Sequence, residues 1–254
     1  MTNSLKGFLY RLEGLVFPSI KHDKAILPPK YMRSGGVEFK NDEYYYSSAK
    51  GVAQNLQSVF GLNSESRLLD VGCGTGRFAI GLWAQLGMIK KYVGIDVNPK
   101  SIEWCKKYIE PNFKNSFFLR INAENELYNP EGEKILNKFQ FPFEATSFDI
   151  IQLYSVFSHM VGDDVAIYLN EFNRLLPLSG NVFFTTFSEN DVPNWEVNPK
   201  NYRIDWRGPL HGVRFNFLFL KKSIENAGFE IIKYDYATET DGQSGFYLKK
   251  ITSK

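Results

Sequence analysis

Cysteine is nearly absent: Cys73 and Cys105 are the two thiols in 254 residues. Two thiols exclude a multi-cysteine zinc or iron–sulfur centre and suggest no disulfide framework, which fits a reducing compartment. Histidine is scarce as well, with three residues, so few imidazoles are at hand for proton transfer. Charge of one sign is also lacking. A net charge of +2 gives little steering toward nucleic acid or an anionic membrane. No apolar run approaches the length that spans a bilayer, so membrane insertion is not expected. Gly7-Phe8-Leu9-Tyr10-Arg11 is interrupted too early for a secretion signal. The expectation is a cytoplasmic protein with no nucleic-acid partner. Aromatics, by contrast, are plentiful at 16%, and a phenylalanine-rich core accounts for most of them.

One stretch organises the rest. Arg67 to Val71 reads as a short buried strand. Gly72, Gly74 and Gly76 then free the backbone for a tight turn close to a ligand. Phe78, Ala79, Ile80, Leu82, Trp83 and Leu86 follow at mostly helical spacing. Strand, glycine turn and helix open a Rossmann-like βαβ unit, and a nucleotide lies against such a turn. A second strand, Tyr92 to Asp96, ends on an acid about 20 residues further on, where a carboxylate accepts from ribose hydroxyls.

The glycine spacing decides which nucleotide. A pyrophosphate on the helix N-terminus requires G-x-G-x-x-G. Here Asp70 precedes Gly72, Gly74 and Gly76, and no glycine stands at the third dinucleotide position. That argues against a nicotinamide-dependent oxidoreductase. A carboxylate beside the turn suits a ligand carrying an ammonium group. At this point the chain resembles the class I S-adenosylmethionine-dependent methyltransferases, whose first motif is [D/E]-x-G-x-G-x-G, with further stations out to about Lys250. The resemblance implies S-adenosylmethionine as cofactor, and the acids of Ser188-Glu189-Asn190-Asp191 do not assemble into a divalent-metal site, so no metal is expected.

The fold expected is α/β: a Rossmann-like, doubly wound, seven-stranded sheet, mostly parallel, with an antiparallel C-terminal hairpin and an N-terminal helical cap. The cap is residues 1–62. Leu5 to Val16 is one helix stopped by Pro18, Pro28-Pro29 an extended linker, and Tyr44 to Leu62 a second helix burying Val52, Leu56, Val59 and Phe60. The methyltransferase domain is 63–254. Its later strands are Ser116–Ile121, Asp149–Tyr154, Asn181–Phe187, Phe229–Tyr236 and Gly245–Ile251. Its later helices follow Pro99, run over Val161–Leu176 and Phe217–Ala227, and include a short one near Lys134–Phe139. Residues 188–216 show little periodicity and form a substrate-side insertion, since loops this long in a compact domain are usually functional.

Methyl transfer from a sulfonium needs positioning, exclusion of water and sometimes a proton acceptor. Cofactor residues are therefore the clearer signal. They are Asp70, Gly72, Cys73, Gly74 and Gly76 in the turn, with Cys73 as a small residue and not a nucleophile. Asp96 is the ribose acceptor, and Val97 is an apolar neighbour for adenine. Asn122 stands where the family usually has Asp. Its amide oxygen still accepts from the adenine amino group, without charge assistance, and Ala123 offers a backbone N–H. Arg77 either meets the cofactor carboxylate or faces solvent.

After the fourth strand, Tyr154 and Phe157 either face the sulfonium or simply pack. His159 is the candidate general base; the alternative is a histidine that orders its loop. Trp206 and His211 are weaker substrate-side candidates. The Asn/Asp-Pro-Pro-aromatic motif of methylators of exocyclic amines is missing, as is the Lys–Asp–Lys–Glu set of ribose methylation. Phe141-Pro142-Phe143, four residues before Phe148-Asp149, is similar to a broad group acting on small metabolites, quinones, natural products and sugars. Its implied acceptor is a small molecule or glycan, at an oxygen. A non-catalytic, cofactor-binding relative is the remaining alternative.

Overall fold

The computed structural model describes residues 2–136, 138–206 and 208–253. In chain order the elements are α1 (Thr2–Val16), β1 (Ile20–His22), β2 (Ala25–Leu27), α2 (Asp42–Phe60), β3 (Arg67–Val71), α3 (Arg77–Leu86), β4 (Lys91–Asp96), α4 (Pro99–Tyr108), β5 (Ser116–Arg120), β6 (Ile150–Leu153), α5 (Gly162–Leu175), β7 (Asn181–Glu189), β8 (Trp195–Val197), β9 (Val213–Asn216), α6 (Phe217–Asn226), β10 (Phe229–Asp235) and β11 (Ser244–Lys250). The architecture is the expected α/β one, mostly parallel with an antiparallel terminal hairpin. Two compact units are distinguished: 1–65 with 73–120, and 66–72 with 121–254.

In the first unit β4 and β5 pair in parallel, from Tyr92 opposite Ser116 to Asp96 opposite Arg120. Asn98 caps α4 by accepting from the Lys100 and Ser101 N–H groups, with Pro99 in the first turn, where no donor is missed. Asn41 caps α2 in the same way, and Gly61 ends it in the left-handed region. The buried face of α2 differs from the expected one: Tyr45, Tyr46, Ala49, Ala53 and Leu56 are buried, while Val52, Val59 and Phe60 are half-buried. Small residues line this face because α3 packs closely on it. A Cβ at Gly81 of α3 would stand 2.2 Å from the Ala49 carbonyl carbon.

Gly81→Ala is therefore expected to destabilise the protein by about 2 kcal/mol despite alanine's better helix propensity, because main-chain atoms cannot yield as a flexible side chain can. Gly51→Ala is the control. It lies in α2 with nothing within 4 Å of an added Cβ, so it should stabilise by roughly 0.5–1 kcal/mol. Urea unfolding of both variants checks the pair, and equal effects would mean that α2 and α3 are not in tight contact.

In the second unit the strand order is β10-β11-β7-β6-β3. β3, β6 and β7 are parallel, and β11 is antiparallel to both neighbours. All four residues of β6 are buried, as parallel strands covered on both faces should be. The core is rich in phenylalanine, with Phe148, Phe157, Phe172, Phe183, Phe184 and Phe246 each under 2% exposed.

Two local expectations are corrected, and one hairpin carried no sequence signal. Residues 134–136 and 138–139 are not helical, and Asn137 lies outside the described residues. Glu133 forms a bridge with Ala123, and the Phe139 ring stacks on Tyr168 at 5.4 Å, so tertiary contacts govern this stretch. Residues 188–216 are not an unstructured loop: β9 extends the sheet in parallel with the end of β7, and β8 pairs with β9. Strands of three and four residues are too short for periodicity to register. The β1–β2 hairpin, closed by Asp23 at φ +50°, escaped for the same reason.

Candidate functional site

The glycine turn is built where β3 ends. Gly72 has φ +70°, and a Cβ there would stand 2.3 Å from Val156 Cγ2; Gly76 has φ +72°, and its Cβ would stand 2.2 Å from Ile109 Cδ1. Only glycine fits either position. Gly74 is different. Nothing lies within 4 Å of an added Cβ, so open space faces the turn at that residue.

In the first unit the turn is bonded to the end of β4. The Cys73 N–H donates to the Ile95 carbonyl at 3.0 Å, and the Gly74 N–H donates to Asp96 Oδ2 at 2.8 Å. Asp96 Oδ1 accepts from the Asn98 N–H at 2.7 Å. A carboxylate offers about four acceptor positions, so these N–H groups leave it room for a further donor. Burial pushes the Asp96 carboxyl above the usual carboxylate range, against the downward pull of the N–H groups of Asn98, Gly74 and Val97. Cys73 is buried, and its sulfur lies 3.0 Å from where a Gly94 Cβ would stand, which is a packing position. The Val97 carbonyl accepts from Arg120 Nε at 3.3 Å.

Beside the turn stand Tyr45 and the candidate Arg77, together with Thr75 and Arg33, which carried no sequence signal of their own. Tyr45 is buried, and its hydroxyl lies 3.3 Å from Thr75 Oγ1; burial pushes its pKa up to about 12. The Arg33 guanidinium lies 4.7 Å from the centroid of that ring, itself buried and paired with Asp42 at 2.6 Å. Arg77 is half-buried, donates to Ser48 Oγ at 3.3 Å and lies 5.1 Å from the Phe39 centroid. Tyr45 belongs to Glu43-Tyr44-Tyr45-Tyr46, a run that the sequence offers either as a lining of the cofactor mouth or as a surface helix start; Tyr45 and Tyr46 are buried, Glu43 and Tyr44 exposed.

The second unit holds the other candidates. Asp70 is 1% exposed and accepts from the Gln152 side-chain amide, whose Oε1 is buried without a partner among the described residues. Asn122 is exposed and Ala123 buried in a loop knitted by Asn129, which donates to Asn122 Oδ1 at 3.3 Å and to the Ala123 carbonyl at 2.8 Å. Gly132 has no room for a Cβ against that Asn129 side chain. The Tyr154 hydroxyl donates to Glu239 Oε2 at 3.0 Å and accepts from the Thr240 N–H at 3.3 Å, so its ring is held by the turn before β11. Ser155 has φ +60°, rare for a residue with a side chain. Its N–H donates to Thr185 Oγ1 at 2.8 Å, and Gln243 closes a ring by accepting from Thr185 at 2.9 Å and donating to Ser155 Oγ at 2.7 Å.

That hydrogen-bond ring supports the turn carrying Phe157, Ser158 and His159. His159 is half-buried, and Nδ1 lies 3.2 Å from the Leu210 carbonyl. A carbonyl only accepts, so the proton sits on Nδ1 and the lone pair on Nε2. Burial, with a smaller contribution from His211, holds the His159 pKa below its ordinary value, against the opposing pull of the Leu210 and His211 carbonyls. Ring contacts link Tyr128 to His159, His159 to His211, His211 to Trp206, and Trp206 to Tyr202, the last pair stacked at 5.6 Å. Asp164, near the start of α5, was not anticipated: burial and the neighbouring Asp163 and Glu124 charges raise its pKa to about 6.

Among the described residues no three His, Cys, Asp or Glu side chains group as a metal site. A family model described as a methyltransferase domain matches residues 43–234. A tRNA (guanine-N(7)-)-methyltransferase of Prochlorococcus marinus is 33% identical over 94 residues, 35% of this chain and 44% of that relative, so the match spans less than half of it. An O-methyltransferase rstn1 of Aspergillus nomiae is 27% identical over 194 residues, 76% of this chain and 75% of the relative. Among solved structures, the Burkholderia thailandensis 1,6-didemethyltoxoflavin-N1-methyltransferase with bound 1,6-didemethyltoxoflavin and S-adenosylhomocysteine superposes with TM-score 0.55 at 15% identity, covering 83% of this chain and 80% of that one.

Proposed function

The chain belongs to this methyltransferase-domain family, and from that premise we propose that it methylates an oxygen of a small-molecule or glycan-type acceptor by in-line displacement. S-adenosylmethionine is its cofactor, and when bound it supplies an electrophilic methyl group on a sulfonium. The first unit's geometry fits such a ligand: open space at Gly74, an oriented carboxylate at Asp96, and the apolar Val97 beside it. In this reading Asp96 accepts from the ribose hydroxyls, while Cys73, Gly74 and Gly76 form the wall of the turn. Asp70 and Gly72 shape the same turn from the end of β3. Asn122 and Ala123 serve adenine. Tyr154 supports the sulfonium side, and residues 1–62 act as the cap. The observation that carries the reading is the hydrogen bond from Gly74 to Asp96, which makes turn and acid one preorganised element.

His159 is the proton acceptor of the proposal. A carbonyl fixes its tautomer and burial keeps the ring neutral, so Nε2 is able to take a hydroxyl proton. The ring series from Tyr128 through His159 to Trp206 and Tyr202 suits a flat ring or the apolar face of a sugar. The O-methyltransferase relative and the small-molecule enzyme of like fold are consistent with this acceptor class.

The test is to supply methyl-labelled cofactor together with fractionated metabolites, glycans and total RNA. Label is expected in a small-molecule or glycan fraction, as an O-methyl product by mass spectrometry. Label in RNA, or on nitrogen or carbon, would overturn the acceptor assignment.

A further inference from the structure

Helix α1 is docked inside out. Leu5, Phe8, Leu9, Leu12, Leu15 and Val16 recur every three or four residues and share one arc of the helix, roughly 120° wide at about 100° per residue. A globular protein normally turns such an arc to its core. Here all six are exposed, from Leu12 at 44% to Leu15 at 80%, and Phe17 beyond them is exposed too. The opposite side packs instead. Gly14 is buried where a Cβ would stand 2.1 Å from the Tyr31 ring, and Glu13 pairs with Lys30 at 3.0 Å. The Lys30 ammonium also lies 5.8 Å from the Tyr10 centroid. Just past the helix, the Pro18 carbonyl accepts from Trp104 Nε1 at 2.8 Å. These anchors at two points fix the roll of the helix, so its apolar arc faces outward.

The rim of the arc is cationic. At about 100° per residue, Lys6 and Arg11 fall on opposite edges of it. Both are exposed, and among the described residues neither pairs with an acid. Glu13, the helix's acid, lies on the Lys6 edge, where Lys30 engages and offsets it. We infer that α1 is an interfacial helix that lays its apolar arc on an anionic lipid surface, with Lys6 and Arg11 reaching lipid phosphates. Apolar side chains enter the headgroup–acyl boundary while long cationic ones extend toward the headgroups. No helix among the described residues is long and apolar enough to cross a bilayer, so this one lies on the surface. Charge decides against a second copy as the occupant: two such faces would bring Lys6 and Arg11 together with no acid to offset them. The near-zero net charge of the whole chain hides this local asymmetry.

Vesicle flotation with the full chain tests the inference, using phosphatidylcholine alone and phosphatidylcholine with phosphatidylglycerol. The chain is expected to float with the anionic vesicles, and less so as salt rises. Leu9→Glu/Leu12→Glu and Lys6→Glu/Arg11→Glu should each lower the bound fraction about tenfold or more. All four side chains are exposed, so the melting temperature should stay at the wild-type value. No flotation, equal flotation with both vesicles, or a dimer by light scattering that Leu9→Glu/Leu12→Glu dissolves would each overturn the inference.

Discussion

Asp96→Ala is expected to weaken S-adenosylhomocysteine binding at least tenfold by calorimetry, about 1.4 kcal/mol. Two effects add. The variant removes an ionised acceptor for ribose hydroxyls, and hydrogen bonds to charged groups contribute about 1.5–3 kcal/mol each. It also releases the Gly74 N–H, now held at 2.8 Å, so the turn loses the bond that shapes it. Asp96→Asn separates the two effects, because its amide oxygen still accepts from part of the set of N–H groups that the carboxylate serves. It should fall between wild type and Asp96→Ala. Because burial raises this carboxyl, binding should also weaken as pH falls through a range above the ordinary carboxylate one. Unchanged affinity in Asp96→Ala, with an unchanged melting temperature, would remove the ribose assignment.

His159→Ala is the second large effect. Turnover should fall by roughly 10²–10³, the scale of a lost general base, with cofactor affinity preserved. The pH profile sharpens the test. Burial holds the His159 pKa below its ordinary value, so the neutral ring persists further into acid. The wild-type acid limb should therefore lie below the usual imidazole range and vanish in His159→Ala. The backbone of this residue is held independently: Asn125 Nδ2 donates to the His159 carbonyl at 2.9 Å. Loss of the ring should thus leave the loop in place. Full activity in the variant would return His159 to ordering contacts with Leu210 and Tyr128.

What the sequence makes legible follows from how local each signal is. β3, the glycine turn and α3 lie within about 20 consecutive residues, and Asp96 stands at a spacing that the βαβ unit itself imposes. The terminal hairpin has seven residues per strand, long enough for a strand pattern to register in the sequence. The supports of the site are of another kind. Gln243 reaches Ser155 across 88 positions and Thr185 across 58, and Tyr45 reaches Thr75 across 30. No periodicity links such pairs; only the packed structure does. Asn129-Pro130-Glu131-Gly132 is turn chemistry by its residues alone. That the Asn129 side chain stitches Asn122 to Ala123 depends on where the turn lands. The apolar spacing of α1 predicted its helix correctly but gave no sign of which way its face points.

The central claim is that the Gly74–Asp96 element holds the adenosyl group. A crystal structure with S-adenosylhomocysteine tests it most directly. The account predicts ribose hydroxyls within hydrogen-bond distance of the Asp96 carboxylate, beside a glycine turn in its present conformation. A ligand bound elsewhere, with Asp96 bonded to Gly74 and Asn98 alone, would contradict it.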